Sequence, residues 1–448
     1  MNAAFYPVRQ FIQDWWLEFL SGVVILVAFP LVVAYVALVE RKILADKQTG
    51  SGPLPLEPHR TLQPRAEGLR LFLKGDIVPP NADKLIFWLA PILSVVAALT
   101  SLGAIAFGPA VQVARDINVG ILFVIAMGSL GFLGVILGGW ASNCQNLNIG
   151  AMRGTAKLVS YEVGGGLAIL SALLVSGTLN IRAIVEAQQR SGAWFIFLAP
   201  IGFLIYLVAS IAQSKRIRFD LLEQRPEPVS GDKVEYVGFR WSLCFLAECA
   251  NRIVVASIAT TLFLGGWLRP FSNEPWFYWL DYLPPILIVL LGVCCIYRAG
   301  KQPVLAQSLW MWVLALVCLC VAGVFALPVA AVSLQFLLPG LHGAFWFLLK
   351  VGIFLYIFAW LRLSIPCYSF GQLMRVGWHI LIPVAIANVF AIGIALFLEY
   401  EAGWNRWFAF GVMNFFPVAL AAYLMRLHEK RAAGSSRTRA MATDSYAG

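Results

Sequence analysis

Charge is what this sequence has least of. Only 12 % of its 448 residues are Asp, Glu, Lys or Arg, against roughly 25 % in soluble domains. That deficit excludes a cytosolic globular enzyme and a disordered regulator. Histidine is scarce as well, at four residues. The eight cysteines (Cys144, Cys244, Cys249, Cys294, Cys295, Cys318, Cys320 and Cys367) show no CxxC pair. Most lie in or beside apolar runs, where cysteine acts as a small hydrophobe. A disulfide scaffold is excluded, and no metal or redox centre is expected on this chain. Strict period-2 alternation is missing, which excludes an outer-membrane barrel. The formal charge is +10, but the basic residues form no stripe and no stacking platform, so nucleic acid is not an expected partner. Gly164-Gly165-Gly166 follows no strand and matches no phosphate-binding loop. No internal repeat stands out.

What the sequence does have is length of apolar run. A helix needs about 20 apolar residues to cross the hydrocarbon core. Eleven runs meet or approach this: Leu17–Val39, Leu85–Phe107, Val119–Trp140, Val163–Leu179, Trp194–Ala212, Trp241–Leu268, Leu280–Tyr297, Val304–Leu327, Ala344–Leu361, Trp378–Leu398 and Trp407–Met425. Pro284-Pro285 shortens the regular helix of the seventh. The sequence thus predicts an all-α polytopic membrane protein of about 11 transmembrane helices. Residues 1–430 read as one transmembrane domain and 431–448 as a disordered, basic tail. Nothing at the start reads as a cleavable signal. Lys and Arg concentrate in alternate loops, beginning with 40–84. The positive-inside rule then puts those loops and the C-terminus in the cytoplasm and the N-terminus outside. Trp15, Trp16, Trp88, Trp140, Trp194, Trp241 and Trp267 sit at run ends as interfacial anchors. Gly131, Gly134 and Gly138 make a small-residue packing face.

Ionisable residues at depth are the informative ones, because each costs a few kcal/mol at the bilayer centre. Glu162 stands at the head of the fourth run, and Lys350 lies inside the ninth. Glu248 and Arg252 share a face of the sixth run, four residues apart. They are either an intrahelical ion pair that makes insertion tolerable or part of a proton relay. Two long loops, 40–84 and 213–240, carry mixed charge. Each could bind lipid headgroups, dock soluble partners or rim a headgroup-sized cavity.

The segments ERKILAD (40–46), LQPRAEGLRLFLKGDI (62–77), LAPILS (89–94), DINVGILF (116–123) and GWASN (139–143) come in that order. SYEV (160–163), AQSKRIRFDLLE (212–223), LAECAN (246–251) and ATTLFLGGW (259–267) succeed them. FWFLLK (345–350), WLR (360–362) and QLMRVGW (372–378) complete the series. In order and spacing these resemble the H subunit of the bacterial NADH–quinone oxidoreductase, complex I. The resemblance implies a membrane subunit in the bacterial inner membrane that forms the quinone chamber where the hydrophilic arm docks. It implies partners of three kinds: iron–sulfur and quinone-site subunits of that arm, neighbouring membrane subunits, and lipids. Quinone is the implied substrate, with FMN and iron–sulfur clusters in partner subunits and none on this chain.

By resemblance the quinone-chamber positions are Glu40, Arg41, Lys42, Glu67, Arg70, Arg216, Phe219, Asp220 and Arg362. The matching proton-path carboxylates are Glu162, Glu223, Glu227, Glu235 and Glu248. The family usually has Glu where this chain has Gln213 and Arg225, and Pro at Arg218, so the second loop here is more positive. Family-like helices number eight; residues 270–340 read as an inserted pair and Trp407–Met425 as an extra C-terminal helix. Two other readings stand beside this one. The first is the related subunit of a membrane-bound hydrogenase or formate-hydrogen-lyase complex. The second is a transporter or membrane anchor with no redox partner.

Overall fold

In the computed structural model the described residues are 30, 32–43, 45, 63–75, 77–108, 117–213, 236–270, 283–299, 337–364 and 370–444, with positions 276, 279, 280, 312, 315, 316 and 319. Among them all regular structure is helical. The elements are α1 (32–43), α2 (Gln63–Leu73), α3 (Lys84–Gly103), α4 (Gly120–Ala141) and α5 (Gln145–Ser176). Next come α6 (Ile181–Ser191), α7 (Phe195–Leu198), α8 (Pro200–Gln213), α9 (Phe239–Phe263) and α10 (Leu283–Ala299). The last are α11 (Leu337–Ser364), α12 (Phe370–Val376), a π-helical turn (Gly377–Leu381), α13 (Ile382–Glu401) and α14 (Arg406–Asp444).

Seven stretches among the described residues are long and apolar enough to cross a bilayer. They answer to the second, third, fourth, sixth, ninth, tenth and eleventh runs of the sequence. The fifth run breaks ahead of Pro200, and the seventh gives the shorter α10. Pro284 and Pro285 sit in its first turn, where a missing N–H costs nothing. Most of the first and eighth runs lies outside the described residues. Two boundaries differ from the sequence reading. α5 starts at Gln145, because 145–161 holds no proline and several good helix formers. Glu162 is therefore near the middle of a helix rather than at its head. α14 continues past the eleventh run to Asp444.

Contacts divide the chain into two compact units. The first takes the described residues of Met1–Met152, Thr178–Trp194 and Pro226–Pro366. Its centre is the pair α3 and α4, with α9 packed on α3. Gly134 sits where a Cβ would run into the Ser94 hydroxyl and come within 2.8 Å of the Ala90 carbonyl oxygen. A Cβ at Gly138 would meet the Tyr236 hydroxyl at 2.8 Å, so the expected small-residue face is the one used. Pro91 interrupts α3 and takes a backbone donor away from the Phe87 carbonyl, four residues earlier. The Tyr236 hydroxyl donates to that oxygen at 3.5 Å, and its ring stacks on Phe87 with centroids 4.4 Å apart. In GWASN, Asn143 takes φ 51°, a conformation Asn tolerates, and closes α4.

The second unit takes the described residues of Arg153–Gly177, Phe195–Arg225 and Cys367–Gly448. Here SYEV meets QLMRVGW. The Tyr161 hydroxyl donates to the Leu373 carbonyl oxygen at 2.9 Å, just before the π turn, and Trp378 Nε1 donates to the Ser160 hydroxyl at 3.2 Å. Gly377 lies against the Tyr161 ring, 3.6 Å from a Cβ placed there. α14 packs along α13, and Asn414 Nδ2 donates to the Leu198 and Phe410 carbonyls at 2.8 Å each.

Gly134→Leu should destabilise the first unit by about 2 kcal/mol through overpacking. Gly128→Leu on the same helix, with nothing within 4 Å of its Cβ position, should be silent. Thermal unfolding in detergent compares the two, and equal melting temperatures would contradict the packing described.

Candidate functional site

Pro30 and, on α1, Val33, Ala34, Ala37, Leu38 and Arg41 recur at three- and four-residue spacing and make one stripe. That stripe forms one wall of a cavity of about 370 Å³ in the first unit. Gly68 and Leu71, about a turn apart on α2, form a second wall. The first turns of α9 supply the third, through Phe239, Ser242, Leu243, Phe245 and Leu246. Phe72 holds α2 to α9 by an edge-to-face contact with Phe239, centroids 5.4 Å apart. The Ser242 hydroxyl donates to its own helix at the Phe239 carbonyl. Among the described lining residues Arg41 alone is charged. Such a space suits a flat or chain-like apolar molecule with an oxygen-bearing end for the guanidinium to hold.

Beside it lies a buried ion pair. Arg252 Nη1 on α9 meets Glu40 Oε2 on α1 at 2.5 Å, with the two side chains only 13 % and 12 % exposed. The same guanidinium donates from Nε to the Glu248 carbonyl oxygen at 3.4 Å and from Nη2 to Cys249 Sγ. Of the two roles the sequence leaves open for Glu248 and Arg252, the ion pair seen for Arg252 is therefore made across helices, with Glu40.

A second charge is buried on the α11 face. Lys350, 4 % exposed, donates from Nζ to the carbonyls of Leu264 (2.6 Å), Gly266 (2.9 Å) and Leu268 (2.5 Å). Its ammonium lies 4.8 Å from the centroid of the Trp194 ring. LFLGGW makes this cradle possible: Gly265 and Gly266 take φ 73° and 52°, which turns the backbone so that three carbonyls converge. These oxygens lie just past the end of α9, at the helix terminus where a cation is favoured. Gln188 Nε2 on α6 takes two more, from Thr261 and Leu262, at 2.9 and 3.2 Å.

The positions expected from the sequence are distributed unevenly. Glu40 makes the ion pair and Arg41 lines the cavity; Arg41, Lys42 and Arg70 are all exposed, at the ends of α1 and α2. Glu67 lies on α2 and Arg362 on α11, with side chains outside the described set. Arg216, Phe219, Asp220, Glu223, Glu227 and Glu235 also lie outside the described residues. Glu162 is half-buried on α5 in the second unit, and Glu248 half-buried on α9 in the first. Among the described residues no three His, Cys, Asp or Glu side chains gather as a metal site. Sequence reasoning missed the apolar lining from α9 and the partner of Arg252. The first looks like any span; the second lies 212 positions away.

A helical membrane protein with an apolar cavity ending at a guanidinium is a class with many members, and comparison with known proteins narrows it. A family model described as NADH dehydrogenase matches residues 20–393. The second H subunit of the NADH-quinone oxidoreductase of Solibacter usitatus is 43 % identical over 378 residues, covering 83 % of this chain and 94 % of that protein. The first H subunit of the Koribacter versatilis enzyme is 40 % identical over 402 residues, with 85 % and 92 % covered. The Rickettsia felis H subunit is 34 % identical over 376 residues, with 83 % and 92 % covered. The chain belongs to the NADH dehydrogenase family, among the H subunits of NADH-quinone oxidoreductase. It is a membrane subunit of an oxidoreductase complex.

Lys350→Met should strip three carbonyls of their donor at once and destabilise the first unit by about 3 kcal/mol. The expected result is a marked loss of assembled complex in membranes, measured by native gel. Wild-type abundance would show that the cradle contributes nothing.

Proposed function

We propose that this subunit forms the quinone-binding chamber at the junction with the hydrophilic arm and passes quinone reduction on to proton translocation. The observation that carries the reading is the cavity of about 370 Å³ between α1, α2 and α9, apolar except for Arg41 and a Ser242 hydroxyl turned onto its own helix. A quinone pairs an isoprenoid-like apolar tail with two carbonyl oxygens, and the cavity offers an apolar bed and one guanidinium to match. On reduction the quinone takes up two electrons and two protons. Negative charge that develops on its oxygens before protonation is stabilised by a nearby cation.

The electron carriers, FMN and iron–sulfur clusters, belong in this reading to partner subunits of the arm. Glu40, Arg41, Lys42, Glu67, Arg70, Arg216, Phe219, Asp220 and Arg362 hold or surround the headgroup. Glu162, Glu223, Glu227, Glu235 and Glu248 carry protons away from it, a carboxylate being a group that can both take up and release a proton. The loop bearing Glu223, Glu227 and Glu235 faces the cytoplasm, as does the C-terminus, with the N-terminus outside in the inner membrane.

The direct test fills the space. Ala34 lines the cavity, and Ala34→Trp should raise the KM for quinone by about tenfold, a loss of near 1.4 kcal/mol of binding, with the complex assembled. An unchanged KM would remove the cavity from the quinone path. Neutralising Arg216 or Asp220 should act in the same direction. Glu248→Gln should leave NADH oxidation running while lowering the protons moved per electron; an unaltered ratio would take Glu248 out of the proton path.

A further inference from the structure

The second unit buries uncharged polar groups around a break in one of its helices. α7 and α8 are two halves of one apolar run, parted at Ala199 ahead of Pro200. At Gly202, in the first turn of α8, side chains from two other helices of the unit close in. A Cβ there would run into the Ser171 hydroxyl of α5 and come within 3.2 Å of Asn388 Nδ2 of α13. Ser171 and Asn388 are both fully buried. The two polar groups are thus no more than about 6 Å apart, the span of one oxygen atom hydrogen-bonded to each. A place so near a hydroxyl and an amide nitrogen is too tight for carbon and at hydrogen-bonding distance for oxygen.

Neither Nδ2 nor Oδ1 of Asn388 has a hydrogen-bond partner among the described residues. Ser171 donates its hydrogen to the Ala168 carbonyl oxygen at 2.7 Å and keeps lone pairs with which to accept. Asn414 of α14 donates to the carbonyls of Leu198, four residues before Gly202, and Phe410, while its buried Oδ1 is also without a partner. An amide left unpaired in the interior of a membrane protein is costly. Lipid headgroups and partner subunits cannot reach a side chain with no exposed surface, so whatever pairs Asn388 is small and internal. A buried water needs two or more polar partners and room for one oxygen, and the gap beside Gly202 offers both. We propose that an ordered water is bound there, accepting from Asn388 Nδ2 and donating to the Ser171 hydroxyl oxygen. α14 packs against α7 and α8 and closes the break from its own side. That wall lies beyond residue 393, where the match to the family model ends.

A density map of the purified wild-type complex, taken to a resolution at which ordered waters are seen, tests this directly. The expected result is a peak within hydrogen-bonding distance of both Asn388 Nδ2 and Ser171 Oγ. A well-resolved Asn388 with no such peak overturns the proposal. Asn388→Leu gives a second readout, since Leu is close to Asn in size and Asn388 makes no direct hydrogen bond among the described residues. In a dry site the substitution removes an orphaned amide, and the melting temperature of the complex in detergent rises or stays where it is. In a water site the bound water loses an anchor, and the melting temperature falls by about 3 °C. Adding Ser171→Ala should then lower it little further, because both changes act through one water. A rise or no change in Asn388→Leu overturns the proposal, as does a double variant in which the two losses simply add. If Asn388→Leu does not assemble, the wild-type map decides by itself.

Discussion

Inside a bilayer a backbone carbonyl or amide without a partner has no water to turn to, and every interruption of a helix must be repaired by protein. This constraint explains the most specific contacts of the fold. Pro91 frees the Phe87 carbonyl, and the Tyr236 hydroxyl reaches it. The π turn at Gly377–Leu381 comes after a carbonyl, Leu373, that is claimed by Tyr161. The end of α9 exposes a cluster of oxygens, and Lys350 with Gln188 occupies five of them. In each case a long polar side chain from a distant part of the sequence crosses to a broken helix. Tyr, Lys and Gln here complete secondary structure that the helix cannot complete by itself.

The same rule separates structural charge from charge available for chemistry. Lys350 is saturated by carbonyls and by the Trp194 face, and it sits far along α9 from the cavity-lining turns. The cavity has the opposite character: its described lining is apolar apart from Arg41, and its hydroxyl is turned back onto its own helix. Glu40 and Arg252 stand between these extremes, buried together and paired. In the function proposed above, the occupant of this cavity is a quinone with its headgroup toward Arg41.

Much of the fold could be read directly from the sequence. Long apolar runs announce spanning helices because lipid leaves little choice, and Gly134 marks the close approach of α3 to α4 while Gly138 makes room for Tyr236. The extent of α5 was hidden, since Gln145–Tyr161 mixes Asn, Arg and Lys with apolar residues and hydropathy alone starts the helix too late. The fifth run was readable as apolar but not as two helices, because a proline such as Pro200 can end one helix or open the next with the same local sequence. Within the site, Glu40 and Arg41 could be picked out from a local triplet of charges. The destination of Arg252 could not, since four-residue spacing offers Glu248 and nothing local offers Glu40. The role of Lys350 was equally hidden: a lysine in a span advertises a cost, while the three carbonyls that meet it belong to a glycine turn more than eighty positions earlier.

The grip on the C-terminal end of α9 has a mechanical meaning. At that end two side chains from other helices hold five carbonyl oxygens, whereas the opposite end borders a cavity. A helix of 25 residues is about 37 Å long at 1.5 Å per residue. Held at that end and packed on α3, α9 is kept from sliding along its own axis, so the height of the cavity wall is set by a glycine turn at the far end of the helix.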